Sequence, residues 1–269
     1  MILSLKFASA ALIFFCGIAG GMLPWWVQSG PRGKRWLGLG IAFSGGVLLG
    51  AGFIHLLADA NNEFQQLWPQ NDYPWAMLLA ASSFLLVLFV ERVAPRLGRV
   101  PVGSSITGEK SHVIEAVKAS NTYPYLLLLT LSVHSLLAGL AMGAQTSLSN
   151  FAVVFLAIIA HKVCAGFALG ASLHRIGMAL HRAKGLVAGF AIMTPLGIII
   201  GALITDALAS HSQMLFEAVF DAVAAGTFVY IATFDVIREE FLPPPPDRMS
   251  KWLAAILGLA LMAVVAIWT

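Results

Sequence analysis

Three histidines, His55, His134 and His161, each sit inside a run of apolar residues. His55 is followed four residues later by Asp59, which puts an imidazole and a carboxylate on one helical face. That is metal-ligand spacing. Neutral imidazole nitrogen is the commonest protein ligand for metals, and three imidazoles with one carboxylate suit zinc or another borderline divalent ion. Magnesium and calcium prefer all-oxygen sites. The plainer alternative is that each histidine hydrogen-bonds a neighbouring backbone and fixes helix register; three histidines with one aspartate, arriving from three helices, favour the metal reading. His112, His174, His181 and His211 fall in connections and read as solvated.

The runs that carry these residues are of membrane length. Of 269 residues 59% are hydrophobic and only 11% charged, against about 25% charged in soluble domains. A stretch such as Leu253 to Trp268 carries no charge, which suits lipid as solvent and excludes a soluble fold. Windows of about 20 apolar residues, enough to cross ~30 Å of hydrocarbon, recur near 7–29, 37–60, 74–92, 123–146, 151–173, 185–207, 217–238 and 250–268. The fold class is therefore all-α: a polytopic bundle of eight transmembrane helices, one domain over residues 1–269. The first span is too long for a signal peptide and only Lys6 precedes its apolar stretch, so it reads as a helix that stays.

Every Lys and Arg except Lys6 and Lys162 falls in the connections between spans 1 and 2, 3 and 4, 5 and 6, or 7 and 8. The positive-inside rule then puts both termini outside. Glu63, Asp206, Glu217 and Asp221 gather on the opposite side, an acidic outer mouth that would concentrate cations; the plain alternative is that carboxylates are merely soluble loop residues. The connection at about 93–122, with Gly103, Ser104, Ser105 and Gly108, has no apolar periodicity and reads as a flexible cytoplasmic loop. A net charge of +3 with no basic stripe or aromatic platform excludes nucleic acid as a partner. Cys16 and Cys164 lie in apolar runs and behave as small hydrophobes.

An ionisable group near the bilayer centre costs at least about 2.5–3.5 kcal/mol, so each one is a functional-site hypothesis. At ~1.5 Å per helical residue, His134 lies about 17 Å from Tyr123 and His161 about as far from Asn150, both near the midplane. The short connection Ser147 to Asn150 makes spans 4 and 5 antiparallel neighbours, with Gly139/Gly143 and Gly166/Gly170 as small faces for close packing. Lys162 is too deep to snorkel and needs a partner, for which Asp59 is the candidate. Asp235, in the last third of span 7, is either an exit-side relay ligand or the partner of Arg238.

In order and position, several segments resemble the ZIP (Zrt/Irt-like) family of divalent-metal transporters. They are His134-Ser135 with Gly139 and Gly143, His161-Lys162 with Gly166, Phe167 and Gly170, Gly45-Gly46 through His55 and Asp59, Thr194-Pro195-Leu196-Gly197, and Gly226-Thr227-Phe228 through Asp235. The resemblance implies a non-enzymatic carrier with no resident cofactor. It would move Zn²⁺, or a similar ion such as Fe²⁺ or Mn²⁺, into the cytoplasm by alternating access of spans 1, 4, 5 and 6 against spans 2, 3, 7 and 8. It implies a central site of His134, Ser135 and His161, with His55 and Asp59 contributing from span 2. Ala138 and Ala165 depart from the family pattern, in which glutamates are frequent there. Either imidazoles hold the metal, or Cys164 contributes, or the chain binds metal without transporting it. Lys162 resembles a fixed substitute for a second ion, which implies a mononuclear site. A reading from another class, an intramembrane zinc hydrolase, needs a general base, and no spare buried carboxylate lies near the histidines. The partners implied are a divalent ion and the lipid bilayer, with a homodimer left open, in the plasma membrane or the inner membrane of a bacterium.

Overall fold

The structure is a computed structural model that describes residues 2–27, 30–93, 123–145, 147–204, 210–241 and 248–268. His112, Asp206 and nearly all of the loop expected at about 93–122 lie outside the described residues. Within them every regular element is a helix. Hydrocarbon demands this, because it offers no partner to an open N–H or C=O, and a helix pairs each within its own segment. In chain order the rods are α1 (Ile2–Trp26), α2 (Pro31–Gly50, a π turn Ala51–Leu56, then Leu57–Leu67) and α3 (Trp75–Leu88, running into a π turn Phe89–Val93). Then come α4 (Tyr123–Ala144), α5 (Leu148–Arg175), α6 (Leu180–Ile204), α7 (Ser210–Tyr230, a π turn Ile231–Ile237, then Arg238–Phe241) and α8 (Arg248–Val265). Among the described residues seven rods are long and apolar enough to cross a membrane; the α-helical part of α3 has only 14 residues.

The local chemistry explains the ends. Pro31 opens α2 at the position where its missing N–H costs nothing, and Gly30 before it adopts φ 138°, which side-chain-bearing residues avoid. At the end of α5, Gly177 turns left-handed at φ 69°, its N–H donating to the His174 carbonyl while that of Met178 donates to Leu173. This cap satisfies the last carbonyls and reverses the chain into α6. The start of α1 corrects the sequence reading. Lys6 lies inside the helix, is buried, and donates from Nζ to the Gly143 carbonyl at 2.6 Å, so it is no outward-facing flank charge. Its ammonium sits on the C-terminal carbonyls of α4, where the helix dipole favours a cation.

The rods form two groups. α1 packs on α5 and α6, and α4 on α6 and α5; α2 packs on α8 and α7, and α3 on α7. With little hydrophobic drive between helices in lipid, close backbone approach has to supply the attraction. A methyl group at Gly139 or Gly143 would overlap the carbonyls of Thr194 or Ile198 in α6, and one at Gly197 or Gly201 those of Leu136 or Leu140 in α4. Gly166 and Gly170 abut Gly17 and Gly21 of α1 in the same way, Gly46 and Gly258 join α2 to α8, and Gly226 sits on Ala80 of α3. The glycine faces of α4 and α5 thus serve α6 and α1; the expectation that they pack on each other is corrected, although α4 and α5 do touch. All of these glycine contacts with backbone lie within one group.

The seam between the groups is filled by side chains. One apolar cluster, including Ile41, Leu48, Leu131, Phe167, Leu169, Phe190 and Phe228, joins both groups. Toward the end that carries Lys6 and the α2–α3 turn, it gives way to separate clusters. Ile13, Met142, Phe151 and Ile198 belong to the first group, Ala60, Phe64, Ala218 and Ala222 to the second. Overpacking a tight contact costs about 1–3 kcal/mol. Gly226→Ala and Gly139→Ala are expected to lower the melting temperature of the purified protein, whereas Gly189→Ala, which meets nothing within 4 Å, leaves it unchanged. Equal melting of all three would contradict the backbone-contact account.

Candidate metal site at the seam

The histidines face one another across that seam. His134 on α4 and His161 on α5 have ring centroids 5.7 Å apart, and His55 on α2 lies 6.4 Å from His161. Both groups therefore contribute. His134 and His161 are buried, at 6% and 4% exposure, and neither ring nitrogen of His134 has a hydrogen-bond partner. An unpaired buried imidazole costs on the order of 1–3 kcal/mol in lost hydration. Such a group fits one that takes up a ligand. With Zn–N near 2.0–2.1 Å, two rings on one ion stand roughly 5–6 Å apart, so the His134–His161 spacing needs no rearrangement.

Backbone geometry sets the orientation of His55. It falls in the π turn of α2, and its Nδ1 lies 2.7 Å from Oδ2 of Asp59 in the α-helical turn that follows. Metal-binding histidines commonly give one nitrogen to a carboxylate in this way, which fixes the ring and points the other nitrogen at the ion. Asp59 is thus engaged by His55, not by Lys162 as the sequence suggested. Lys162 donates from Nζ to Ser135 Oγ on α4 and Thr194 Oγ1 on α6, each at 2.9 Å, and its ammonium stands 4.0 Å from the centre of the Phe190 ring. Neighbouring helical residues diverge by about 100°, so His161 turns to the seam while Lys162 turns into the first group. Ser135, expected beside the ion, is bound to this lysine.

Cys164 is buried one turn along α5 from His161 and hydrogen-bonds Ser44 of α2, so its sulfur also lies at the seam. Asp235 falls in the π turn Ile231–Ile237, and its side chain lies outside the described set. Glu63 interacts electrostatically with Asp59, Glu217 and Asp221, and Asp221 with His55, Asp59 and Glu217. These carboxylates form one acidic set continuous with the His55–Asp59 pair. Oε2 of Glu63 is buried with no hydrogen-bond partner. Among the described residues no three His, Cys, Asp or Glu side chains converge tightly enough to hold one ion together. The geometry is a succession of pairs. It brings the imidazoles together two at a time.

Sequence reasoning passed over Phe228, whose buried ring meets His134 edge-on at 4.9 Å and His161 at 6.5 Å, and over Thr194 and Phe190, which hold Lys162. Phe228 and Thr194 stood in the quoted segments, but nothing in their type distinguished them from ordinary apolar or helix-facing positions. Phe228 walls the imidazoles off from water, which strengthens any ion contact made there.

Comparison with known proteins identifies the family. The ZIP zinc transporter family matches residues 3–104 and 101–266. The chain is 30% identical to human zinc transporter ZIP2, over 97% of this chain and 96% of that protein. It is 28% identical to zinc transporter ZIP1 of Takifugu rubripes, over 98% of each. To zinc transporter 1 of rice it is 26% identical, over 99% of this chain and 84% of the relative. Family-wide coverage of nearly the whole chain, joined to two helix groups meeting at buried histidines, leads to one conclusion: the chain belongs to the ZIP zinc transporter family.

Proposed function

We propose that the protein carries Zn²⁺, or a similar transition metal, from outside the cell into the cytoplasm by alternating access, with the seam histidines as the mid-membrane site. The observation that carries this is His134: a buried imidazole with both nitrogens unpaired, at the junction of two helix groups that, among the described residues, share no backbone-to-backbone glycine contact. The relatives' names, zinc transporters in human, fish and rice, support zinc as the cargo. Family membership removes the hydrolase reading, since its members are transporters. In this reading α3 with its π turn completes eight spans, and both termini and the acidic residues Glu63, Glu217 and Asp221 face outside, with Asp206 on the same side. The Arg- and Lys-bearing ends face the cytoplasm of a plasma membrane or bacterial inner membrane.

The steps follow from the side chains. A hydrated cation is drawn to the carboxylates, reaches His55 as oriented by Asp59, and exchanges water for imidazole nitrogen at His161 and His134. Neutral imidazoles replace hydration without fixing the ion by charge, so holding is brief and release is possible. With Ala138 and Ala165 adding no carboxylate, and the Lys162 ammonium adjoining the site, one ion is held at a time.

His134→Ala and His161→Ala are expected to cut zinc uptake into proteoliposomes at least tenfold while the protein still elutes as a folded species; wild-type rates in both would remove the site. Asp59→Asn releases the His55 ring and should lower uptake by about 10–100-fold, the usual cost of losing the orienting partner of a metal-binding histidine. Zinc should raise the melting temperature of wild type and not of the His134→Ala/His161→Ala double variant, as expected of an ion that binds only the folded site.

A further inference from the structure

Glu240 lies near the end of α7 with only 8% of its side chain exposed. Its Oε2 is 2.8 Å from Nζ of Lys251 on α8, and the same ammonium reaches its backbone carbonyl at 3.5 Å. Its other oxygen, Oε1, is paired with Nη2 of Arg175 in the last turn of α5. Room for this cluster comes from α2: a side chain at Gly38 would meet Glu240 Oε2 at 2.9 Å and Lys251 Nζ at 3.1 Å. Lys251, Glu240 and Gly38 belong to the second helix group and Arg175 to the first. The Arg175–Glu240 pair therefore crosses the seam at its basic end, beside the stretch where the two groups share one apolar cluster. At the acidic end each group keeps its own cluster.

The two cations on Glu240 differ in what they can do. Stripping the only partner from a buried carboxylate is strongly destabilising, commonly by about 3–5 kcal/mol. Here Lys251 moves with Glu240 and stays paired to it, while Arg175, a third of whose side chain is exposed, can withdraw into solvent. The crossing pair can break and re-form without leaving a bare buried charge.

We propose that Arg175 and Glu240 form a latch that holds the cytoplasmic side of the seam shut, with Lys251 keeping the carboxylate charged and in place when the latch opens. This rests on the alternating-access reading above. Cys164, buried at the seam beside Ser44, reports on the opening. In a Cys16→Ser background, a membrane-impermeant maleimide applied to the cytoplasmic side of sealed vesicles should label Cys164 slowly. Arg175→Gln and Glu240→Gln should each raise that rate at least fivefold, and Arg175→Lys should stay close to the parent. Unchanged labelling in both glutamine variants, with elution and melting like the parent, overturns the latch. If Glu240→Gln does not fold, Arg175→Gln decides alone, because its site is partly solvated. Zinc uptake by the same vesicles separates the two readings. Faster labelling in the glutamine variants when the parent takes up no zinc keeps the latch and removes transport, while zinc uptake by the parent with unaltered labelling in the variants removes the latch.

Discussion

The architecture hangs on the places where one helix backbone rests on another without a side chain between. Lipid gives two helices little reason to associate through apolar area, so contact has to come from dispersion at short range, and only glycine permits it. Gly139 and Gly143 against α6, Gly166 and Gly170 against α1, Gly46 and Gly258 between α2 and α8, and Gly226 on α3 build two bodies. Between the bodies the filling is Phe167, Leu169, Phe190, Phe228 and the imidazoles. Side chains can exchange neighbours at such a surface in a way that abutting backbones cannot, which is why the seam is where the proposed binding and movement are placed.

The buried polar groups sort by the same division. Lys162 satisfies itself inside the first body, through Ser135, Thr194 and the face of Phe190, and pins α4, α5 and α6 together. Lys6 does likewise for α1 and α4. These ammonium groups are structural, and among the described residues the buried polar atoms left without protein partners include nitrogens of His134 and His161 at the seam and of Trp75, and Oε2 of Glu63 at the acidic end. Satisfied groups tie the helices of each body together, and the unpartnered imidazole nitrogens are those the proposed site would use. Positions 138 and 165 carry alanine, so neither adds a carboxylate beside the imidazoles.

Much of this was legible in the sequence because lipid penalises mistakes so heavily. An ionisable residue at mid-depth stands out, and His134 and His161 were singled out on that ground, the His55–Asp59 pair on its four-residue spacing. Hydropathy located the rods to within a few residues, with α2 and α7 running further than their apolar cores suggested. What failed was partner assignment. Glycine spacing announces a close contact and does not say with which helix, so α4 and α5 were matched to each other when they bind α6 and α1. Position along the chain said that Lys162 was deep but not which way it turned. The π turns left no compositional mark: Ala51–Leu56 reads like the helix on either side, and the structure gives no physical account of why it widens there. Nothing in the sequence singled out Glu240, because the room for it depends on Gly38, some two hundred residues away.

The chain passes between the two bodies at three points, and the lengths of those crossings bound what the bodies can do. Trp26 and Pro31 end and begin helices of opposite bodies, and an extended chain reaches at most about 3.3–3.6 Å per residue, so this leash is under roughly 18 Å. Ile204 and Ser210 are joined by a tether only slightly longer, at the opposite face, whereas the stretch from Val93 to Tyr123 imposes no practical limit. Two short leashes, one on each side of the membrane, leave room for tilting and modest sliding but not for wholesale separation. Under the proposed alternating access the molecule would work as a hinged pair of shells, its stroke set as much by covalent slack as by packing.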